Sequence, residues 1–124
     1  MKSMKMLFLA IGLSFYFAQI APAEWTPAMR LTWTSGGSWF PAITVDSSGH
    51  LHVVWSDSTP GNDEIYCKQS TDAGVTWTAS QRLTWNSGPS QYPASSVDSS
   101  GNLHIVWSDY TPGNIEIYYR KYMK

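Results

Sequence analysis

Charge is scarce in this chain and cysteine is almost missing. Only 14% of the 124 residues are charged, and Cys67 is the single cysteine. One thiol cannot close an internal bridge, so packing has to supply the stability that disulfides give many small exported domains. Basic residues are fewer than acidic ones. With Lys2 and Lys5 set aside, six Lys and Arg face nine Asp and Glu over residues 24–124, a formal charge of −3. That balance leaves no basic footprint for nucleic acid and none for an anionic membrane surface. Helical spacing of apolar residues is absent from residue 24 onward.

Long apolar runs are missing too, except at the start. Met6 to about Ala18 is apolar, yet too short for a span of roughly 20 residues. Lys2 and Lys5 precede it and Ala21-Pro22-Ala23 follows, the pattern of a secretory signal peptide over residues 1–23 cleaved near Ala23. The expectation is an exported protein, extracellular or periplasmic, with no membrane span. An uncleaved anchor is the alternative.

What the chain does have is a duplication. Arg30-Leu31-Thr32-Trp33 returns 52 residues later as Arg82-Leu83-Thr84-Trp85, and Val45-Asp46-Ser47-Ser48-Gly49 as Val97-Asp98-Ser99-Ser100-Gly101. Over 30–68 against 82–120, 27 of 39 positions are identical, so two tandem repeats occupy residues 24–124, at about 30–81 and 82–124. Apolar residues alternate as in strands: Leu51, Val53 and Trp55 point one way, His52 and Val54 the other. With bulk on both faces, such a strand is covered on both sides. Asp46-Ser-Ser-Gly49 suits a hairpin, and Thr59-Pro60-Gly61-Asn62 a type II turn.

Four strands per repeat follow, near Pro41–Val45, His50–Ser56, Glu64–Lys68, and Gln81–Trp85 or Arg30–Trp33. The fold class expected is all-β: two four-stranded antiparallel blades of a partial propeller. Residues 24–33 are expected to complete the last blade, because Trp25-Thr26 aligns with Trp77-Thr78. A truncated gene or a fragment of a longer array is the competing explanation. Repeats bury their faces against neighbours and need about three to be stable, so two blades should self-associate. A homotrimer would close a six-bladed ring, similar to small fucose-binding bacterial lectins in assembly alone, since the chain has no matching fucose motif.

Ser70-Thr71-Asp72-Ala73-Gly74-Val75-Thr76-Trp77 matches Ser-x-Asp-x-Gly-x-Thr-Trp. The chain from residue 24 therefore resembles the sialidase-like (BNR, Asp-box) repeat family of β-propellers along nearly its whole length. The resemblance implies a structural role for Ser70, Asp72, Gly74, Thr76 and Trp77, on the face away from an active site. It does not carry catalysis across. Sialidases place three arginines, a Tyr–Glu nucleophile pair and an acid/base Asp around the substrate. Arg30, Arg82 and Arg120, Tyr66 and Glu64 here are repeat features, whereas a lone active site would break the repeat.

Ligands of propellers bind on the opposite, upper face. The residues expected there are Trp33, Trp39, Asp57 and Asn62 in the first repeat and Trp85, Tyr92, Asp109, Tyr110 and Asn114 in the second. Rings cover the C–H faces of sugars, while carboxylates and amides bond hydroxyls. The bland alternative makes the Trp residues core and Asp57 and Asp109 turn formers. His52 and His104 lack ligand spacing for a metal, and Asp63 of a conceivable calcium cluster becomes Ile115. Cys67 reads as a small buried apolar residue. The expectation is a secreted, non-catalytic module for extracellular carbohydrate or a cell-surface polymer, without cofactor or metal. The alternatives are a degenerate sialidase-like glycosidase and a scaffold with no small ligand.

Overall fold

A computed structural model describes residues 21–124; the signal-peptide expectation falls largely on residues 1–20, outside the described part. The described residues form strands and turns and contain no helix, so none crosses a membrane as an apolar helix. There are seven strands: β1 (Ser38–Val45), β2 (Leu51–Asp57), β3 (Glu64–Ser70), β4 (Gln81–Arg82), β5 (Ser90–Val97), β6 (Leu103–Asp109) and β7 (Glu116–Tyr122). They make two antiparallel sheets in chain order, β1-β2-β3-β4 and β5-β6-β7.

The turns between strands are set by side chains. Asp46 Oδ1 accepts the backbone N–H groups of Ser48 and His50, each at 2.9 Å, and Gly49 takes φ 81°. This is the hairpin expected of Asp-Ser-Ser-Gly, and Asp98 repeats it with Ser100 and Asn102. The second turn closes earlier than expected. Gly61 N–H donates to Ser58 C=O at 3.0 Å, so Pro60 occupies the third turn position. The reason is Asp57, whose Oδ1 holds Thr59 N–H at 2.9 Å and starts the turn one residue sooner. Gly61 still supplies the positive φ, at 111°.

The Ser70–Trp77 turn follows β3 and is held by its own side chains. Asp72 Oδ1 accepts from Ser70 Oγ and Thr76 N, both at 2.8 Å, and Ser70 Oγ accepts Gly74 N–H at 2.8 Å. Gly74 stands at φ 88°, and Trp77 Nε1 returns to its carbonyl at 3.2 Å. The turn and the Asp46 hairpin lie at the same end of the first sheet, since Leu51 pairs with both Val45 and Ser70.

The sheets stack face to face. Val54 and Ile65 of the first meet Leu103, Ile105 and Trp107 of the second, with Ala42, Leu83 and Val97 at the margin. Each such side chain contributes roughly 1.5–3 kcal/mol when fully buried. The period-2 reading of β2 holds: Val54 faces the second sheet, and Val53 and Trp55 turn away from it.

Two features depart from expectation. The second sheet has three strands, not four, and residues 21–33 carry no strand. Within the chain, residues 24–33 do not complete the second sheet. Leu31 and Thr32 lie instead beside Trp39, Val53 and Trp55 on the outward face of the first sheet. A fourth strand needs a β3-type edge beside it. β4 has one because the chain reaches it directly after β3; the edge of β7 lies on the far side of the second sheet.

Candidate functional site

The end of the sheets opposite the Asp46 hairpin gathers the loops 58–63 and 110–115 with the linkers 34–37 and 86–89. Linker and loop dock through their backbones. Ser58 N–H donates to Gly37 C=O at 3.0 Å, and Tyr110 N–H to Pro89 C=O at 3.1 Å. A Cβ on Gly36 would come 2.5 Å from Thr59 N, and one on Gly88 2.6 Å from Thr111 N. Glycine is needed there for closeness of approach.

Asp57 and Asp109 are central to this end, but inside it. Both are fully buried. Asp57 Oδ1 takes Thr59 N–H and hydroxyl; its Oδ2 takes Ser38 Oγ at 2.8 Å and Trp55 Nε1 at 3.0 Å. Asp109 repeats this with Thr111, Ser90 and Trp107 and adds the amide of Asn86. Burial acts to raise both carboxyl pKa values, but hydrogen bonds led by the Thr59 and Thr111 groups outweigh it and hold them below the usual range. Both therefore stay ionised at neutral pH, with their lone pairs used by the protein. Asn62 is also committed: its Nδ2 donates to Asn86 C=O and Gly88 C=O, at 3.2 and 3.1 Å, tying the first loop to the second linker. Asn114 is exposed and donates to Glu116.

The predicted rings do reach solvent. Trp33, Trp39, Trp85, Tyr92 and Tyr110 are all exposed. The guanidinium of Arg30 lies 5.6 Å from the Trp33 ring and that of Arg82 5.5 Å from Trp85. Among the described residues, no side chain of the nine predicted ones stacks on or hydrogen-bonds another of the nine. The structure does join one of them to a residue that sequence reasoning passed over. Tyr92 meets Phe40 with ring centroids 4.2 Å apart. These are equivalent positions one repeat apart, and both backbones are left-handed, with φ 52° at Phe40 and 56° at Tyr92. Each sits in the bulge that interrupts its strand pairing, between Trp39 and Ala42 and between Gln91 and Ala94. An exposed bulky residue at positive φ costs of order 1 kcal/mol or more, a strain that concentrates at functional positions. Alignment at 52 residues pairs Phe40 with Tyr92; that pairing was the available signal.

A cleft of about 340 Å³ opens between the sheets, lined by Cys67, Gln81, Leu83, Leu103, Ile105 and Arg120 among others. Burial pushes the Cys67 thiol up to about 11, so it is no nucleophile at neutral pH. Among the described residues no three His, Cys, Asp or Glu side chains converge as metal ligands. Comparison with known proteins finds no family model that matches this chain and no curated protein that matches it.

Proposed function

We propose that the chain is an exported two-blade unit of a β-propeller that binds extracellular carbohydrate or a cell-surface polymer, without catalysis, as a homo-oligomer with a trimer preferred. The observation that carries this reading is the strained, solvent-exposed Phe40–Tyr92 pair, flanked by Trp39 at one end of the stacked sheets. Flat apolar rings presented to solvent suit the C–H faces of sugars. The polar contribution comes from the linkers and Asn114 and not from Asp57 or Asp109, whose oxygens are occupied. The same occupancy argues against a glycosidase, since these two carboxyls are held ionised and turned inward. Repetition of the rings gives each chain several weak contacts. An oligomer carrying them gains roughly 10²–10⁴-fold in avidity on a multivalent surface.

A glycan array with the exported chain tests the reading, followed by Phe40→Gly and Tyr92→Gly. Glycine relieves the left-handed strain and gives up the ring contact, so stability should move by no more than about 1 kcal/mol. Binding should fall about two- to tenfold, the cost of roughly one stacking contact. Unchanged binding in both folded variants would remove these rings from the site. Turnover of a fluorogenic sialoside would overturn the non-catalytic assignment.

A further inference from the structure

Two apolar sheet faces are open in a single chain, and they complement each other. One is the outward face of the first sheet, where Ile43 and Val45 on β1 are 63% and 58% exposed while Val53 and Trp55 on β2 are already buried beside Leu31 and Thr32. The other is the outward face of β6 and β7, where Ile117 and Tyr119 are 70% and 58% exposed. Inside the chain the equivalents of these faces meet. Ile117 and Val106 correspond to Ile65 and Val54, which are wholly buried against Leu103, Ile105 and Trp107. Those three correspond in turn to Leu51, Val53 and Trp55. We propose that a second copy of this chain covers each open face, the second sheet of one copy stacking on the first sheet of the next as the two sheets stack within a chain.

The positions that differ between the repeats favour a second copy over water. Within the chain, the side chains of Gln91 and Asp63 hydrogen-bond across the stacked sheets. The equivalent of Gln91 on the open face is Trp39, and that of Asp63 is Ile115, both exposed in a single chain. A polar pair inside the chain thus becomes an apolar pair between copies, with both members changed together. Ser95, on the covered face, likewise corresponds to Ile43 on the open one. Faces destined for solvent would carry more polar residues than their buried equivalents; these carry fewer.

The segment before β1 is already shaped for the contact. Arg30 Nε donates to Thr32 C=O at 2.7 Å, as Arg82 Nε does to Thr84 C=O at 2.6 Å. Residues 82–84, in that shape, dock on β3. Leu83 N–H donates to Ile65 C=O at 2.7 Å, Thr84 Oγ1 accepts Ile65 N–H at 2.9 Å, and Glu64 takes both the Thr84 hydroxyl and Arg82. The free edge of β7 offers the same groups through Ile117 and the exposed Glu116. Leu31 and Thr32 lie on the outward face of the first sheet, where the fourth strand of a preceding sheet would run. Stacking a second copy there brings its β7 edge to this segment, and the copy-to-copy contact then supplies the fourth strand that the second sheet lacks.

Such a contact is head-to-tail: one face of a copy meets the other face of its neighbour, so the assembly closes as a ring or grows as a filament. The inference rests on reading each sheet as a propeller blade and is independent of any glycan. Sedimentation of the full chain at micromolar concentration should show a multiple of the single-chain mass. Ile43→Arg and Ile117→Arg each block one face at a side chain that is exposed in the single chain. Each variant alone should stay monomeric with an unchanged far-UV spectrum. Mixed in equal amounts they should give a one-to-one heterodimer and nothing larger, because each keeps the face the other has lost. Should an arginine variant misfold, Ile43→Ser and Ile117→Ser replace it, and association should weaken about tenfold or more. A monomeric wild-type chain, variants that assemble normally, or a mixture that stays monomeric would each overturn the proposal. A filament would support it while refuting the closed ring proposed above, and loss of glycan binding would leave it standing.

Discussion

Glu64-Ile65-Tyr66 and Glu116-Ile117-Tyr118 have the same sequence one repeat apart, and their surroundings are opposite. Glu64 and Ile65 are wholly buried, the carboxylate held by Thr84 and Arg82 and the isoleucine by the second sheet. Glu116 is exposed beside Asn114, and Ile117 is 70% open to water. Both strands pair with their neighbours in equivalent registers. Burial therefore comes from what lies over the strand, and identical residues have different energetic weights in the two sheets.

The largest effect expected from this difference is at the isoleucines. Ile65→Ala should cost about 2–5 kcal/mol, the usual range for a large apolar side chain removed from a packed core. Ile117→Ala in the unassembled chain should stay within about 0.5 kcal/mol, as at other open surface positions. Urea denaturation of both variants measures the gap. Equal losses would mean that the faces of the two sheets are covered alike.

The next effect runs against the contrast. Asp57 and Asp109 are fully buried in their own sheets, each accepting indole, hydroxyl and amide hydrogen bonds. Asp57→Ala and Asp109→Ala should each cost about 2–3 kcal/mol, from several orphaned donors around a lost charged acceptor. These losses should be similar because every partner of Asp57 lies within its own repeat, and so does every partner of Asp109. A difference larger than that at the isoleucines would refute this account of the comparison.

The smallest effect is a pH dependence belonging to the turn after β3. Thr76, through its hydroxyl and amide, and then Ser70 lower the Asp72 pKa to about 2. A folded pKa below the unfolded value of about 3.9 gives stability that is complete above it and lost as pH falls towards 2. Asp72→Asn should therefore lower stability at neutral pH and flatten the acid limb between about pH 4 and 2, so that wild type and variant converge as pH falls. An unchanged acid limb in a variant that still folds would show that Asp72 does not titrate with folding.

Much of the fold was legible because its rules are local. A two-residue period exposes a strand, and Asp-Ser-Ser-Gly closes its hairpin with its own carboxylate, whatever surrounds it. The site was less legible. Asp57 and Asn62 looked like surface ligands because turn sequences are polar, yet folding brings the Ser38 hydroxyl and Trp55 indole as donors to Asp57, and the Asn86 and Gly88 carbonyls as acceptors to the Asn62 amide. Phe40 is not legible from its neighbours, because its left-handed backbone and its contact with Tyr92, 52 residues away, have no local signature.

By itself, then, the sequence determined the all-β class, the repeat length, the hairpins and the alternation of faces. Each depends on interactions spanning a few residues or on the pleat of a single strand. Only the tertiary structure decided which of two identical isoleucines is core, which aspartates point inward, and where residues 30–33 lie. Those outcomes depend on the surface that stacks against each sheet, and two copies of one sequence carry the same pattern while only one of them has its neighbour.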